Sequence, residues 1–152
     1  MSNEFAALLR NRLLLTVVVA WVCAQSIKVI LGIIRERRVN FKWFVGTGGM
    51  PSTHAAGVTA LATAVGLTSG FHSTLFIVTL VFTLVIMFDA QGVRRSAGKQ
   101  AEVLNKIVED IYWKRGIDQE RLKELVGHTP VEVFVGGVIG IGVAMWFFRR
   151  FV

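Results

Sequence analysis

The sequence is poor in charge, cysteine and proline. Its 152 residues include one cysteine and two prolines, and Asp, Glu, Lys and Arg together make up 18% of the chain. A single cysteine cannot form an intrachain disulfide, so a disulfide-stabilised fold is excluded. Hydrophobic residues account for 53%, which is too apolar for an ordinary soluble protein. The composition therefore predicts an integral membrane protein, folded as a single domain over residues 1–152.

One uncharged stretch is long enough to enter a membrane twice. Residues 55–88 carry no formally charged side chain, and a Gly-Phe-His-Ser turn signal interrupts them at 70–73. A helix rises about 1.5 Å per residue and the hydrocarbon core is about 30 Å thick, so we predict a hairpin of two short helices, with His72 solvent-exposed in its turn. Further apolar runs cover 13–34, interrupted only by Lys28, and 133–148. The predicted fold class is an all-α membrane bundle of about four membrane helices.

Amphipathic segments are predicted beside this bundle. Within residues 97–114 apolar side chains recur at three- and four-residue spacing: Ala101, Leu104, Val108 and Ile111. This period predicts an amphipathic helix that continues the third membrane helix out of the bilayer. A second, shorter helix is predicted between Asp118 as its N-cap and Gly127 as its stop. The bundle thus carries one or two interfacial helices.

The basic residues are distributed unevenly, and the formal net charge is +7. Thirteen of them fall on one side of the predicted bundle, and four flank the outer ends of the first and last runs: Arg10, Arg12, Arg149 and Arg150. Because excess Lys and Arg stay inside, the richer side is predicted to face the cytoplasm, with the protein in the cell membrane. No pattern typical of nucleic-acid recognition accompanies the charge, so anionic membrane lipid is the expected partner.

Small residues crowd two of the membrane segments, residues 55–64 and 136–142. In lipid, faces of Gly and Ala let helices approach closely. These two segments are predicted to pack together or against a second copy of the chain in a homodimer.

Lys28 is the first candidate functional residue. An ionisable group inside a membrane segment is energetically costly, so it requires a partner or a route to the surface. Arg35 follows two turns later on the same helical face, and the two long side chains can converge on one anion. The alternative interpretation is that both cations extend to lipid headgroups.

A glycine-rich turn over residues 46–54, Gly-Thr-Gly-Gly-Met-Pro-Ser-Thr-His, leads into the second apolar run. Free N–H groups at a helix N-terminus attract anions, and Ser52 and Thr53 add hydroxyl donors. His54, in the first turn, is placed to give a proton to a leaving oxygen. The alternative is a capped helix with a histidine at the membrane interface.

The end of the third apolar run carries Asp89, Arg94 and Arg95. Adjacent arginines can hold phosphate oxygens with paired N–H donors, although the same residues also suit the flank of a membrane helix. A carboxylate at this position needs a partner, so we predict that Asp89 pairs with one of these arginines or with Lys28.

His128 and Glu132 open the last apolar run. Four residues apart on a helix, they share a face, so the carboxylate can hold one ring nitrogen and leave the other to attack phosphorus. A structural histidine is the alternative.

Taken in order, these motifs resemble the signature of the type 2 phosphatidic acid phosphatases and vanadium haloperoxidases. The first motif of that family, Lys-x6-Arg-Pro, is matched by Lys28 and Arg35, with Glu36 at the proline position. The second, Pro-Ser-Gly-His, is matched by residues 51–54, with threonine in place of glycine.

The third motif of the family, Ser-Arg-x5-His-x3-Asp, is split here by a long insertion. Arg94 or Arg95 supplies the arginine, and His128 and Glu132 follow far downstream, with glutamate for aspartate. The combination of Gly-Gly-Met-Pro-Ser-Thr-His, Asp-Ala-Gln-Gly-Val-Arg-Arg and Gly-His-Thr-Pro-x-Glu resembles a divergent branch of the family. The similarity covers nearly the whole chain.

The resemblance implies a phosphatase that uses neither a metal nor another cofactor. His128 would attack phosphorus, Glu132 would support it, and His54 would protonate the leaving alkoxide and then activate water. Asp89 would have a supporting role. The phosphate oxygens would be held by cationic and hydroxyl groups: Lys28, Arg35, Ser52, Thr53, and Arg94 or Arg95. The expected substrate is a lipid phosphate monoester or pyrophosphate, met at headgroup level on the cytoplasmic side.

Two alternatives share the same predicted pocket. The first is a non-catalytic membrane protein that binds or moves anionic lipid or phosphate. The second is haloperoxidase chemistry with bound vanadate, which suits a membrane-embedded chain poorly.

Overall fold

The structure, a computed structural model, describes residues 2–37, 49–112 and 127–151. Within these ranges all regular secondary structure is helical, which confirms the predicted class. The helices are α1 (Ser2–Leu9), α2 (Arg12–Glu36), α3 (Thr53–Ser69), α4 (Thr74–Gln91), α5 (Val93–Tyr112) and α6 (Pro130–Phe151). The sequence analysis did not foresee α1, and the predicted short helix after Asp118 lies outside the described residues.

Side-chain caps fix where the membrane helices begin. Asn11 Oδ1 accepts hydrogen bonds from the N–H groups of Leu13 and Leu14 at the start of α2. Ser73 Oγ accepts from the Phe76 N–H at the start of α4. Between α3 and α4 the chain turns at Gly70, whose φ of 88° is strained for residues with a side chain. The predicted hairpin and its turn are therefore confirmed.

Within the described ranges, three helices have the length and composition to cross a membrane: α2, the run Thr74–Val108 and Pro130–Arg150. The second helix of the predicted set, α3, has 17 residues, a length of about 25 Å. It is slightly shorter than the hydrocarbon core of about 30 Å. The predicted membrane bundle is thus confirmed with three full-length spans and one shorter central helix.

The closest packing in the bundle joins α3 to α6. A Cβ atom on Gly140 would collide with the backbone carbonyl of Ala56 and the hydroxyl of Thr59, so only glycine fits there. The Thr59 hydroxyl donates to the carbonyl oxygen of Gly137 across the same interface (3.1 Å). The two small-residue faces therefore pack against each other, which confirms the first of the two predicted arrangements.

Contacts along this interface also give the helix directions. Gly136 packs on Ser52, and Gly140 packs on Ala56, so α3 and α6 run parallel and begin at the same end of the bundle. The Thr83 hydroxyl of α4 donates to the carbonyl oxygen of Val58 (3.1 Å). Because α4 follows α3 through a tight turn, its last residues return to the end where α3 and α6 begin. We call this end the site rim.

The junction between α4 and α5 keeps its helical hydrogen bonds. The Gly92 N–H donates to the Phe88 carbonyl (2.8 Å), and the Ser96 N–H donates to the Gly92 carbonyl (2.9 Å). The run Thr74–Val108 is about 50 Å long at the helical rise, more than a bilayer core requires. This agrees with the prediction that an amphipathic helix continues the third membrane helix beyond the hydrocarbon.

Candidate functional site at the rim of the bundle

Helix α6 begins with a reciprocal pair of hydrogen bonds between Thr129 and Glu132. Thr129 Oγ1 accepts from the Glu132 N–H (3.3 Å), and Glu132 Oε2 accepts from the Thr129 N–H (3.0 Å). This capping box satisfies two N–H groups at a helix start that would otherwise have no backbone acceptor. Pro130 suits the first helical position because it has no N–H to satisfy. The carboxylate of Glu132 is consequently held in one place.

His128 lies directly before this cap and is almost fully buried, with 4% of its surface exposed. Its Nδ1 lies 3.2 Å from Oε2 of Glu132, the same oxygen that accepts from Thr129. Its backbone N–H donates to the carbonyl oxygen of Ala90 at the end of α4 (3.0 Å). His128 is therefore outside the helix, rather than on one helical face with Glu132, because α6 begins only at Pro130. The capping box, which turns Glu132 back toward the helix start, brings the two side chains together.

Ser52 holds the start of α3 against the start of α6. Its Oγ accepts from the Ala55 N–H (3.3 Å), and its own N–H donates to the carbonyl oxygen of Glu132 (3.0 Å). A Cβ on Gly136 would collide with the Ser52 carbonyl, so glycine permits this approach. Ser52 is completely buried and Thr53 nearly so. Ser52 therefore positions the two helix starts, and its expected contact with phosphate stays a prediction.

His54 faces His128 across the two helix starts. Their ring centroids are 6.3 Å apart, and the rings are tilted by 55°. His54 is exposed, whereas His128 is buried behind it. The two imidazoles, separated by more than seventy positions in the sequence, therefore flank one space at the site rim.

Lys28 of α2 lies beside these groups. Its side chain is 8% exposed, and its Cδ lies 4.0 Å from where a Cβ on Gly49 would be. The Glu132 carboxylate is within electrostatic range of its ammonium. A cation buried at the starts of two helices is suited to an anionic ligand.

Two helix N-termini add to the positive potential of the rim. Each N-terminus carries about half a positive charge from aligned peptide dipoles, and its free N–H groups favour anions. Since α3 and α6 start side by side, both partial charges act on the space between His54 and His128. Together with Lys28 they make this space favourable for an oxyanion.

The remaining predicted residues differ in where they lie. Asp89 is half-buried in the last turn of α4, next to the Ala90 carbonyl that binds His128. Arg94 and Arg95 lie in the first turn of α5, and their side chains are outside the described part of the chain. Arg35 is exposed in the last turn of α2, and among the described residues no contact joins it to either histidine. The structure thus brings Lys28 into the site and leaves Arg35 at its edge.

A model of the Divergent PAP2 family matches residues 9–143 of the sequence. The chain belongs to the Divergent PAP2 family. It is also 46% identical, over 145 residues, to the uncharacterized membrane protein YuiD of Bacillus subtilis, and the match covers 88% of this chain and 92% of that protein. No solved structure matches the chain. The recognised resemblance to a divergent branch is therefore confirmed, and the chain is an integral membrane protein.

For this member of the Divergent PAP2 family, one residue of the site was missed in the sequence. Thr129 shares the carboxylate of Glu132 with His128. The spacing Thr-x-x-Glu before an apolar run is the pattern of a capping box and could have identified it. The joint between Ser52 and Glu132 has no such sequence pattern, because it is made by backbone groups.

Proposed function

We propose that this protein hydrolyses a phosphate monoester or pyrophosphate of a membrane lipid through a phosphohistidine intermediate. The observation that carries the proposal is the pair of imidazoles at 6.3 Å, one of them held by a carboxylate. Membership of the Divergent PAP2 family and the position of both histidines at one rim of a membrane bundle support it.

His128 is the proposed nucleophile. A carboxylate only accepts hydrogen bonds, so Glu132 Oε2 selects the tautomer with the proton on Nδ1, and we assign Nε2 as the attacking atom. Nε2 forms a bond to phosphorus as the phosphorus–oxygen bond of the ester breaks. Glu132 then stabilises the positive charge that develops on the ring.

His54 is the proposed acid and base. In the first step it gives a proton to the leaving alkoxide. In the second step it takes a proton from water, whose oxygen bonds to phosphorus as the bond to Nε2 breaks. The ring centroids lie 6.3 Å apart, which keeps both imidazoles close enough to act on one phosphoryl group. The exposure of His54 gives water access for the second step.

The anion is stabilised by fixed positive groups. Lys28 and the N-termini of α3 and α6 hold the phosphate oxygens as charge develops on them, and Arg94 or Arg95 is the proposed further ligand. The position of the rim at headgroup level favours a lipid substrate over a soluble ester. The proposed orientation has this rim on the cytoplasmic side of the cell membrane, following the distribution of Lys and Arg.

The test is phosphate release from phosphatidic acid by the detergent-solubilised protein in excess chelator. His128→Gln is expected to lower the rate by about 10³-fold or more. His72→Gln is the matched control, because His72 lies exposed in the α3–α4 turn, away from the site rim, and it should leave the rate unchanged. The wild-type chain should also form an acid-labile phosphoenzyme that His128→Gln lacks. Equal rates for both variants would reject the proposal.

A binding function is the second candidate, and the exposed position of Arg35 favours it, because an exposed cation can bind an anionic headgroup without taking part in phosphoryl transfer. It predicts that orthovanadate binds the protein without any phosphate release from a panel of lipid phosphates. Binding should then tolerate His128→Gln, since the cation Lys28 and the helix N-termini remain.

A further inference from the structure

The opposite end of the bundle carries an unexpected amphipathic helix. In α1, Phe5, Leu8 and Leu9 follow the spacing of one helical face, and each is at least half exposed (64%, 53% and 53%). The opposite side of α1 carries Ala7, which is also exposed, and Glu4 lies at the edge of the apolar face beside Leu8. Among the described elements, α1 contacts only α2. Its apolar face is therefore not covered by the bundle.

The joint between α1 and α2 fixes this face close to the bilayer. The Arg10 N–H donates to the Ala6 carbonyl (3.2 Å), and the Asn11 N–H donates to the Leu8 carbonyl (3.0 Å). Asn11 at the same time caps α2. Only Arg10 and Asn11 separate the end of α1 from the start of a membrane-spanning helix, which holds α1 at the membrane surface.

Helix α2, which follows α1, also exposes large apolar side chains. Leu15, Val18 and Trp21 are exposed in its first half. In an integral membrane protein such a surface is covered by lipid acyl chains. Because α1 leads directly into this span, the same lipid is the occupant that the structure provides for the exposed apolar face of α1.

Four arginines lie at this same end. Ala20 packs with Ala144, and Lys28 lies within electrostatic range of Glu132, so α2 and α6 are antiparallel. Ala20 and Ala144 lie at one level of the bundle. At about 1.5 Å per residue, Arg12 lies about 12 Å from this level along α2, and Arg149 lies about 8 Å from it along α6. Because the two helices are antiparallel, both arginines lie toward the same rim. The full set, all exposed, is Arg10, Arg12, Arg149 and Arg150.

We propose that this arginine rim binds the headgroups of anionic lipids, with the apolar face of α1 immersed in the same leaflet. Short amphipathic helices bind a membrane surface through buried apolar area together with cationic side chains. The rim supplies both, and it lies opposite the candidate phosphatase site. The inference is therefore independent of the proposed function.

Spin labels test the immersion of α1, because the chain has a single cysteine. In a Cys23→Ala background, Phe5→Cys, Leu8→Cys and Ala7→Cys are labelled and reconstituted in vesicles of phosphatidylcholine and phosphatidylglycerol. Labels at 5 and 8 should be relaxed by oxygen and protected from a water-soluble nickel complex, and the label at 7, on the opposite side of α1, should show the reverse. Three labels that are equally accessible to nickel would overturn the immersion of α1.

Headgroup binding is tested with spin-labelled phosphatidylglycerol and phosphatidylcholine around the reconstituted protein. Wild type should enrich phosphatidylglycerol about fivefold at the protein surface. Arg149→Gln with Arg150→Gln, and then all four substitutions together, should remove this enrichment stepwise. Lys99→Gln with Lys106→Gln, two exposed cations of α5, is the charge-matched control for the first pair and should keep it. The proposal fails if the arginine variants retain the wild-type enrichment.

Discussion

The two helices of the hairpin, α3 and α4, are almost equal in length and both are uncharged in the membrane, yet they occupy opposite environments. Nine residues of α3 are buried, most of them Ala, Gly or Thr, whereas only Thr83 and Ala90 are buried in α4. The outer face of α4 consists of large side chains, among them Phe82, Val85 and Phe88, which are more than half exposed. In lipid, apolar size does not drive a helix inward, because acyl chains solvate Leu and Phe as well as the protein does.

Small residues decide which helix becomes central, because they let backbones approach and carbonyl groups meet hydroxyl donors. The helix that becomes central, α3, also carries the candidate chemistry. Its N-terminus lies against that of α6, and this contact brings His54 to His128. Substitutions in the α3–α6 interface, compared with substitutions on the outer face of α4, test whether small residues place α3 and the candidate site.

The largest effect is expected for Gly140→Leu. The new side chain would collide with the Ala56 carbonyl and the Thr59 hydroxyl, which should destabilise the protein by about 3 kcal/mol or more through overpacking. Gly142→Leu is the control, since nothing lies within 4 Å of a Cβ there. Thermal unfolding in detergent micelles measures both variants. Similar losses of stability would show that α6 does not pack on α3 through its glycines.

Gly136→Ala should chiefly lower activity. The added Cβ displaces the Ser52 carbonyl and moves the start of α3 away from α6. A misplacement of about 1 Å between reacting groups can cost up to about 100-fold in rate, so we expect a loss of kcat/KM in that range. The neighbouring Gly137→Ala meets only ordinary contacts of 3.6 Å with Thr59 and 3.8 Å with Met87. It should retain activity, and an equal loss in both variants would contradict the proposed coupling.

Thr129→Val removes the hydroxyl that caps α6. The loss of the acceptor for the Glu132 N–H should cost about 1 kcal/mol of stability. It should also lower kcat more than it changes KM, because Glu132 then holds His128 less firmly. Thr129→Ser retains the hydroxyl and should restore both quantities. If Thr129→Ser does not restore kcat, the helix cap does not orient His128.

Thr59→Val removes the hydrogen bond from α3 to the Gly137 carbonyl of α6. Hydrogen bonds between membrane helices contribute about 0.6 kcal/mol on average, so a loss of this size is expected in unfolding experiments in micelles. Thr63 provides the comparison, because its hydroxyl donates to the Thr59 carbonyl within α3 (2.8 Å). A larger loss for Thr63→Val than for Thr59→Val would oppose the view that the helix pair depends on this bond.

The smallest effect is expected on the outer face of α4. Phe82→Leu and Val85→Leu exchange one lipid-facing apolar side chain for another and should change stability by less than about 0.5 kcal/mol. Activity should be unchanged. A loss comparable to that of Gly140→Leu would mean that a protein surface, rather than lipid, covers this face.

Much of the fold could be predicted from local patterns. The apolar runs identified α2, the hairpin and α6. The Gly-Phe-His-Ser sequence predicted the turn at Gly70, because glycine adopts a positive φ without strain. The amphipathic helix was predicted from residues such as Leu104, because its period is visible within a few turns. By contrast, α1 is too short for a period to be distinctive, and it was missed.

The candidate site was predicted only in part. Lys28, His54, His128 and Glu132 could be selected because each residue type is unusual at its position, and their assembly was a hypothesis from resemblance to a family. Arg35 shows the limit of spacing arguments. Arg35 lies two turns beyond Lys28 on the same helical face. Lys28 is buried in the bundle, whereas Arg35, in the last turn of α2, is exposed.

The sequence by itself determined that the chain enters a membrane, where its apolar runs lie and which family it resembles, because hydrophobicity and motifs are local properties. Only the tertiary structure decided that Ser52 meets Glu132, that His54 faces His128 and that Lys28 is buried beside them. Those contacts join segments far apart in the chain. They depend on how closely two backbones approach at Gly136 and Gly140, which no local pattern specifies.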